Sequence, residues 1–317
     1  MIKRRSVRIK VFQAIYGFEH SNGLPLKDFS KQLKASIESI KAIYLYNLLL
    51  LRAMAESVEN EWENINAKHI KTAQDQSFNT KMLSNTFLSF LINDEVFNDA
   101  VSRYNLIDKI DDVLVQNLYI QLKQSEAYAD YLASPENFNA KEDVALIKYI
   151  YQDIFLQNDD FHAHIQDIWS NWIDDAQLIS MSIITTIEKS KNRLILVTSK
   201  ESFADKLEEL TSFGDELFTQ VVNNKVSQME LISSKLKNWD VERLASTDIY
   251  ILRLALAELM YFPSIPTKVT INEYIDIAKE YSTPKSKEFV NGILDNLTKE
   301  LSVKGLIIKE GRGLKDS

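Results

Sequence analysis

Glycine and proline punctuate a chain, and here they are nearly missing from its middle. Of 7 glycines and 5 prolines, no glycine falls between Gly23 and Gly214, and Pro135 is the only proline between Pro25 and Pro263. Sheet proteins need turn residues about every 8–12 positions. A long stretch without them, with apolar residues at helical spacing, predicts an all-α protein. At 317 residues, 45% of them hydrophobic, the chain is long enough to bury a sizeable core.

The most regular patterning runs from residue 246 to residue 301. Ile249, Leu252, Leu256, Leu259 and Met260 form one stripe of a first helix over 248–262, closed by Pro263 and Pro266. Thr270 and Glu273 have the spacing of a capping box, with Val269 and Tyr274 placed as a hydrophobic staple, which predicts a second helix starting there. Thr283-Pro284 opens a third, with proline in its first turn and a stripe of Val290, Ile293, Leu294, Leu297 and Leu301. Gly292 interrupts that stripe, and a glycine inside a helix predicts a close approach by another backbone.

In the middle, Leu33, Ile37, Ile40, Tyr44, Asn47, Leu51, Met54, Val58, Trp62 and Ile65 alternate by 4 and 3. This heptad-like spacing predicts one long helix packed along its length, with Asn47 either setting register or facing solvent. Further helices are expected over 80–104, 108–132, 141–157, 161–172 and 174–189, a short β-like run over 194–197, and helices over 202–210, 213–222 and 226–236. The glycine-rich end after Ser302 reads as a mobile tail.

Several chemistries are excluded or left without support. With Cys 0 there is no disulfide, thiolate metal site or cysteine nucleophile, which suits a reducing compartment and a cytoplasmic location. The Leu48–Leu51 run is stopped by Arg52, far short of the roughly 20 residues a membrane span needs. His162 and His164 lie two apart and do not share a helix face, so they read as surface polar residues rather than ligands. No glycine loop could cradle a phosphate, and neither a cofactor nor catalysis is expected. A net charge of −8 excludes a protein that coats nucleic acid with its whole surface, but not a local basic patch.

Such a patch lies at the N-terminus, where Lys3, Arg4, Arg5, Arg8 and Lys10 occur with no acid among them. Val7, Val11, Ala14, Ile15 and Phe18 give that helix a buried face, while Arg5, Arg8, Phe12 and Tyr16 run along another side. Cations followed by aromatic rings suit single-stranded RNA, with guanidinium groups on phosphates and rings on unpaired bases. A solvated basic helix start fits the same residues at least as well. Positive charge there opposes the helix dipole, so the cluster costs stability.

Three strings, ILRLALAEL (251–259), IPTKVTINEYIDIAKEY (265–281) and KEFVNGILD (287–295), together with RRSVRIKVFQAIYGFE (4–19), resemble the bacterial transcription antitermination factor family NusB. The resemblance implies NusB-like helical bundles with a large additional helical segment. Residues 1–25 and 203–302 would form the family core, 26–202 an extra helical region, and 303–317 a flexible tail. It implies RNA contacts at Arg4, Arg5, Arg8, Tyr16, Lys285 and Phe289, and a protein-partner corner at Glu242 and Asp248. The partners it implies are single-stranded boxA-type RNA, the ribosomal protein NusE and, indirectly, the RNA polymerase elongation complex. Two positions depart from the family pattern: Ser6 stands where many members carry arginine, and Lys285 where some carry an acid. Two other readings stand beside this one. A helical interaction scaffold that has lost RNA binding fits the acidic total. An RNA methyltransferase with a NusB-like domain is disfavoured by the missing cysteine and glycine loop.

Overall fold

The computed structural model describes residues 4–21, 23, 25–135, 140–190, 204–236 and 245–314. They are helical, with no strand among the described residues. The β-like run at 194–197 lies outside them. Two compact units form, one from residues 38–207 and the other from residues 3–37 and 208–317. The opening helices are α1 (Arg4–His20) and α2 (Leu26–Ala67), and α2 contributes residues to both units.

The first unit is built around the rest of α2. Ile43 to Leu51 are buried on every side of the helix, so it is the unit's central rod rather than a one-sided seam. Asn47 sits wholly inside. Its amide donates to the Ile43 carbonyl at 2.8 Å, and the Tyr151 hydroxyl donates to its oxygen at 3.0 Å. Around the rod run α3 (Ala73–Gln76), α4 (Thr86–Asn93), α5 (Glu95–Arg103), α6 (Asp112–Lys123), α7 (Glu126–Ala133), α8 (Ala140–Tyr149), α9 (Asp159–Ile168) and α10 (Trp172–Lys189). A π-helical segment, Ile150–Phe155, continues α8 and carries Tyr151.

The helix expected over 80–104 is in fact a short 3₁₀ turn followed by α4 and α5. Asn85 accepts from the amides of Phe87 and Leu88, and Asp94 from that of Phe97, so each caps a new helix. The stretch 108–132 divides in the same way, with Asp111 capping α6 and Ser125 capping α7. Beyond α5, Asn105 adopts φ 49, the left-handed conformation that glycine usually supplies. Asn, Asp and Ser therefore do the punctuation that glycine and proline do elsewhere. The two histidines are tied down within the unit: Trp172 Nε1 donates to His162 Nδ1 at 3.1 Å, and the Tyr46 hydroxyl lies 2.6 Å from His164 Nε2.

The second unit gathers α1, the start of α2, α11 (Ala204–Asn223), α12 (Lys225–Lys235), α13 (Ser246–Tyr261), α14 (Thr267–Tyr281) and α15 (Ser286–Val303). Its centre is α13, buried at every residue from Ile251 to Leu259. Three local expectations are corrected. First, α14 starts at Thr267, with Pro266 at its N-cap position and no side-chain cap. Thr270 is therefore inside the helix, buried, and its hydroxyl donates to Glu258 Oε1 at 2.8 Å instead of capping. Second, α15 starts at Ser286, two residues past Pro284. Third, a Cβ on Gly292 would meet nothing within 4 Å.

Gly214 on α11 does permit close packing, since a Cβ there would fall 2.8 Å from Val7 and 2.9 Å from Ile37. The described part of the tail is also held. The Glu310 amide donates to the Pro263 carbonyl at 3.0 Å and Lys309 Nζ to the Phe262 carbonyl at 3.1 Å. No helix among the described residues is long and apolar enough to cross a membrane.

Gly214 and Gly292, both inside helices, should respond oppositely to alanine. Gly214→Ala overpacks a helix crossing and should destabilise the chain by about 1–3 kcal/mol, whereas Gly292→Ala should stabilise it by about 1 kcal/mol. Urea denaturation of the two variants measures both, and equal responses would contradict the packing described.

Candidate nucleic-acid interface

The face begins with how α1 is seated. Val7, Val11 and Ile15 are fully buried, as their spacing requires. Seating that stripe carries Arg8 inside as well, to 2% exposure. Its guanidinium grips Glu258 of α13 in a two-pronged pair, Nε to Oε2 at 2.7 Å and a terminal nitrogen to Oε1 at 2.8 Å. Glu258, fully buried, also accepts from Thr270 and, at 3.2 Å, from the Tyr274 hydroxyl. Burial works to discharge Arg8, but the hydrogen bonds and charge of Glu258 outweigh it and hold the arginine charged more firmly than usual. Burial and the Glu258 charge together push the Tyr274 phenol well above its ordinary range.

The other end of α1 is fixed by a pair of opposite sense. Arg253 of α13, 1% exposed, donates to Glu19 Oε1 at 2.6 Å and to the Val221 carbonyl in the last turn of α11 at 2.9 Å. Lys225 adds a contact to Glu19 at 2.5 Å. Burial alone would raise the Glu19 carboxyl, but the hydrogen bonds and charges of Lys225 and Arg253 hold it below the usual carboxylate range.

With α1 pinned at both ends, the remaining residues fall into place. Arg4 is partly exposed and pairs with Glu209 of α11 at 2.7 Å, while its guanidinium lies 5.5 Å from the Phe213 ring centre. Arg5 points toward α14. Its terminal nitrogens lie 3.1 Å from Asp276, 3.5 Å from Glu280 and 3.8 Å from Glu273. Further along α1, Tyr16 is 43% exposed. Its ring stacks on His20 at 4.2 Å and meets Tyr250 of α13 edge-on at 6.0 Å. The helix thus presents cations at its start and, near its end, a partly exposed aromatic ring with one face taken by His20.

Two of the residues singled out from the sequence are internal. Arg8 belongs to the Glu258 knot, so its expected place on the RNA face is corrected. Asp248, expected at the partner corner, is 5% exposed and accepts from the hydroxyls of Ser282 at 2.6 Å and Ser286 at 2.9 Å. It braces the first turn of α13 against the α14–α15 joint. Lys285, exposed at the N-cap position of α15, and the half-buried Phe289 lie beside that brace. Glu242 lies outside the described residues. No group of carboxylates and histidines able to hold a metal occurs among the described residues.

Sequence reasoning missed Glu258, Glu19 and the α14 carboxylates. The signal for the first was present: Arg253 and Glu258 are the only charges in the apolar run ILRLALAEL, and a charge inside such a run needs a partner.

A family model described as the NusB family matches residues 174–299. The chain is similar to the transcription antitermination protein NusB of Chloroherpeton thalassium, 43% identical over 101 residues, which are 31% of this chain and 48% of that protein. It is similar to the protein of the same name from Salinibacter ruber, 40% identical over 102 residues, 32% of this chain and 64% of that protein. With the same-named protein of Natranaerobius thermophilus it shares 32% identity over 131 residues, 40% of this chain and 94% of that protein. The chain thus spans less than two thirds of the length of the Chloroherpeton and Salinibacter proteins. No solved structure matches it significantly.

Lowering the pH should release the Glu19 anchor. Because the folded carboxyl titrates below its unfolded value, the anchor contributes fully above about pH 4.3 and is lost as pH falls through the folded value. Glu19→Gln should be less stable than the parent at neutral pH, and the gap in urea midpoint should close as the pH drops below about 4. A gap independent of pH would contradict the assignment.

Proposed function

The chain belongs to the NusB family, and from that premise we propose that it acts in transcription antitermination, binding single-stranded boxA-type RNA jointly with the ribosomal protein NusE. The observation that carries the reading is the outer face of α1. Arg4 and Arg5 reach solvent at its start and Tyr16 offers a ring 11 residues beyond Arg5, about 17 Å along the axis at 1.5 Å per residue. That length exceeds one nucleotide, so phosphates and a base can be engaged together along the helix. Phosphates meet the guanidinium groups, and an unpaired base stacks on Tyr16.

Lys285 and Phe289 extend the face past the Asp248 brace. Arg8 and Asp248 position it from inside without touching RNA. Residues 1–25 and 203–302 serve as the family core in this reading, and 26–202 enlarge its N-terminal half. NusE would add RNA contacts of its own, turning a modest patch into an adequate shared one. The scaffold reading draws on one specific observation: both exposed arginines are paired with carboxylates in the free chain.

Titrating fluorescent boxA-type RNA at several salt concentrations, with and without NusE, decides between them. Arg4→Ala/Arg5→Ala should flatten the log–log salt slope by about 1.4, at roughly 0.7 per phosphate. Tyr16→Ala should weaken binding by about 10-fold with little change in slope. A scrambled RNA bound equally well, or indifference to all three substitutions, would transfer the chain to the scaffold reading.

A further inference from the structure

The two arginines one turn apart on α1 are held in opposite ways. Arg8 is buried on one fully buried carboxylate and cannot leave without stranding a charge. Arg5 is a third exposed and faces Glu273, Asp276 and Glu280, which lie at i, i+3 and i+7 on one side of α14. Asp276 and Glu280 are more than half exposed, so their pairs with Arg5 are solvated and readily exchanged. Between the two arginines sits Glu273, whose Oε2 lies 3.5 Å from Arg8 and 3.8 Å from Arg5 but accepts no hydrogen bond.

Resting on the RNA reading above, we propose that Asp276 and Glu280, backed by Glu273, are a built-in counter-charge on Arg5 that an incoming phosphate must displace. These α14 residues thereby set the affinity of the face. The two terminal nitrogens of Arg5 already point at Asp276 and Glu280, and these are the donors that a phosphate would take. A phosphate on Arg5 therefore replaces Asp276 and Glu280, and it then lies within a Debye length, about 10 Å at 0.1 M salt, of carboxylates that repel it. The four carboxylates facing Arg4 and Arg5 leave this part of the free face without net positive charge, which works against generic polyanions. A ligand with several phosphates and a stackable base recovers the lost attraction elsewhere, at Arg4, Tyr16 and Lys285. A lone phosphate does not.

The test is Asp276→Asn/Glu280→Gln, which keeps side-chain size at two exposed positions. As a charge-matched control, Asp295→Asn/Glu230→Gln alters exposed carboxylates of α15 and α12. At 0.1 M salt the α14 variant should bind boxA-type RNA about 3- to 10-fold more tightly than the parent. The gain should fade at about 0.5 M salt and vanish when Arg5→Ala is added. An unchanged affinity, or an equal gain in the control, overturns the proposal. Inorganic phosphate titrated against the Arg5 Nε–H resonance provides a readout that needs no RNA. Should neither protein bind RNA, the RNA reading fails. The counter-charge then stands if the variant's resonance shifts at several-fold lower phosphate than the parent's, and falls if the two titrate alike.

Discussion

Two reciprocal ion pairs lock α1 against α13, and the placement of every other residue on the candidate face follows from them. One runs from Arg8 of α1 to Glu258 of α13, the other from Arg253 of α13 back to Glu19 of α1. All four side chains are withdrawn from water, which is costly unless each charge meets its partner and its remaining hydrogen-bonding atoms are satisfied. Here Thr270 and Tyr274 complete Glu258, and Lys225, Gln228 and the Val221 carbonyl complete the other pair. The pairs fix the helix in both rotation and register. A rotation by one residue would break both at once.

That lock separates two kinds of arginine on one helix. Arg8 is spent on architecture, while Arg4 and Arg5 hold surface carboxylates that a stronger anion can replace. Tyr16 inherits its exposure from the same rotation. Asp248 extends the bracing through Ser282 and Ser286 to the start of α15, where Lys285 lies. Function, in this account, rests on exchangeable pairs at the rim of a unit whose interior pairs do not exchange.

The helical class was legible because punctuation is scarce and apolar spacing regular, and the stripes on α1 and α15 lie where their periodicity put them, whereas the centres of α2 and α13 are buried all round and no single face describes them. What could not be read were features set by tertiary partners. Thr270 and Glu273 have capping-box spacing, yet Glu258 claims the threonine and the helix starts a turn earlier. Gly292 looked like a packing glycine and faces open space, while Gly214, read in the sequence only as the end of a glycine-free stretch, leaves no room for a Cβ beside Val7 and Ile37. The breaks at Asn85, Asp94, Asp111 and Ser125 were visible only as polar positions, because a cap and a solvated helix residue look alike until the chain turns. The candidate RNA residues were named as one arginine set. Which of them faces water depends on the partners across the fold.

The most direct measurement is a double-mutant cycle on the central pair, reading unfolding free energy for Arg8→Met, Glu258→Leu and the two combined. Each single change strands a buried charge and should cost about 3–5 kcal/mol, while the combined change should cost far less than their sum. Single costs below about 1 kcal/mol that simply add would show that Arg8 and Glu258 are solvated and independent, and the seating of α1 described above would be wrong.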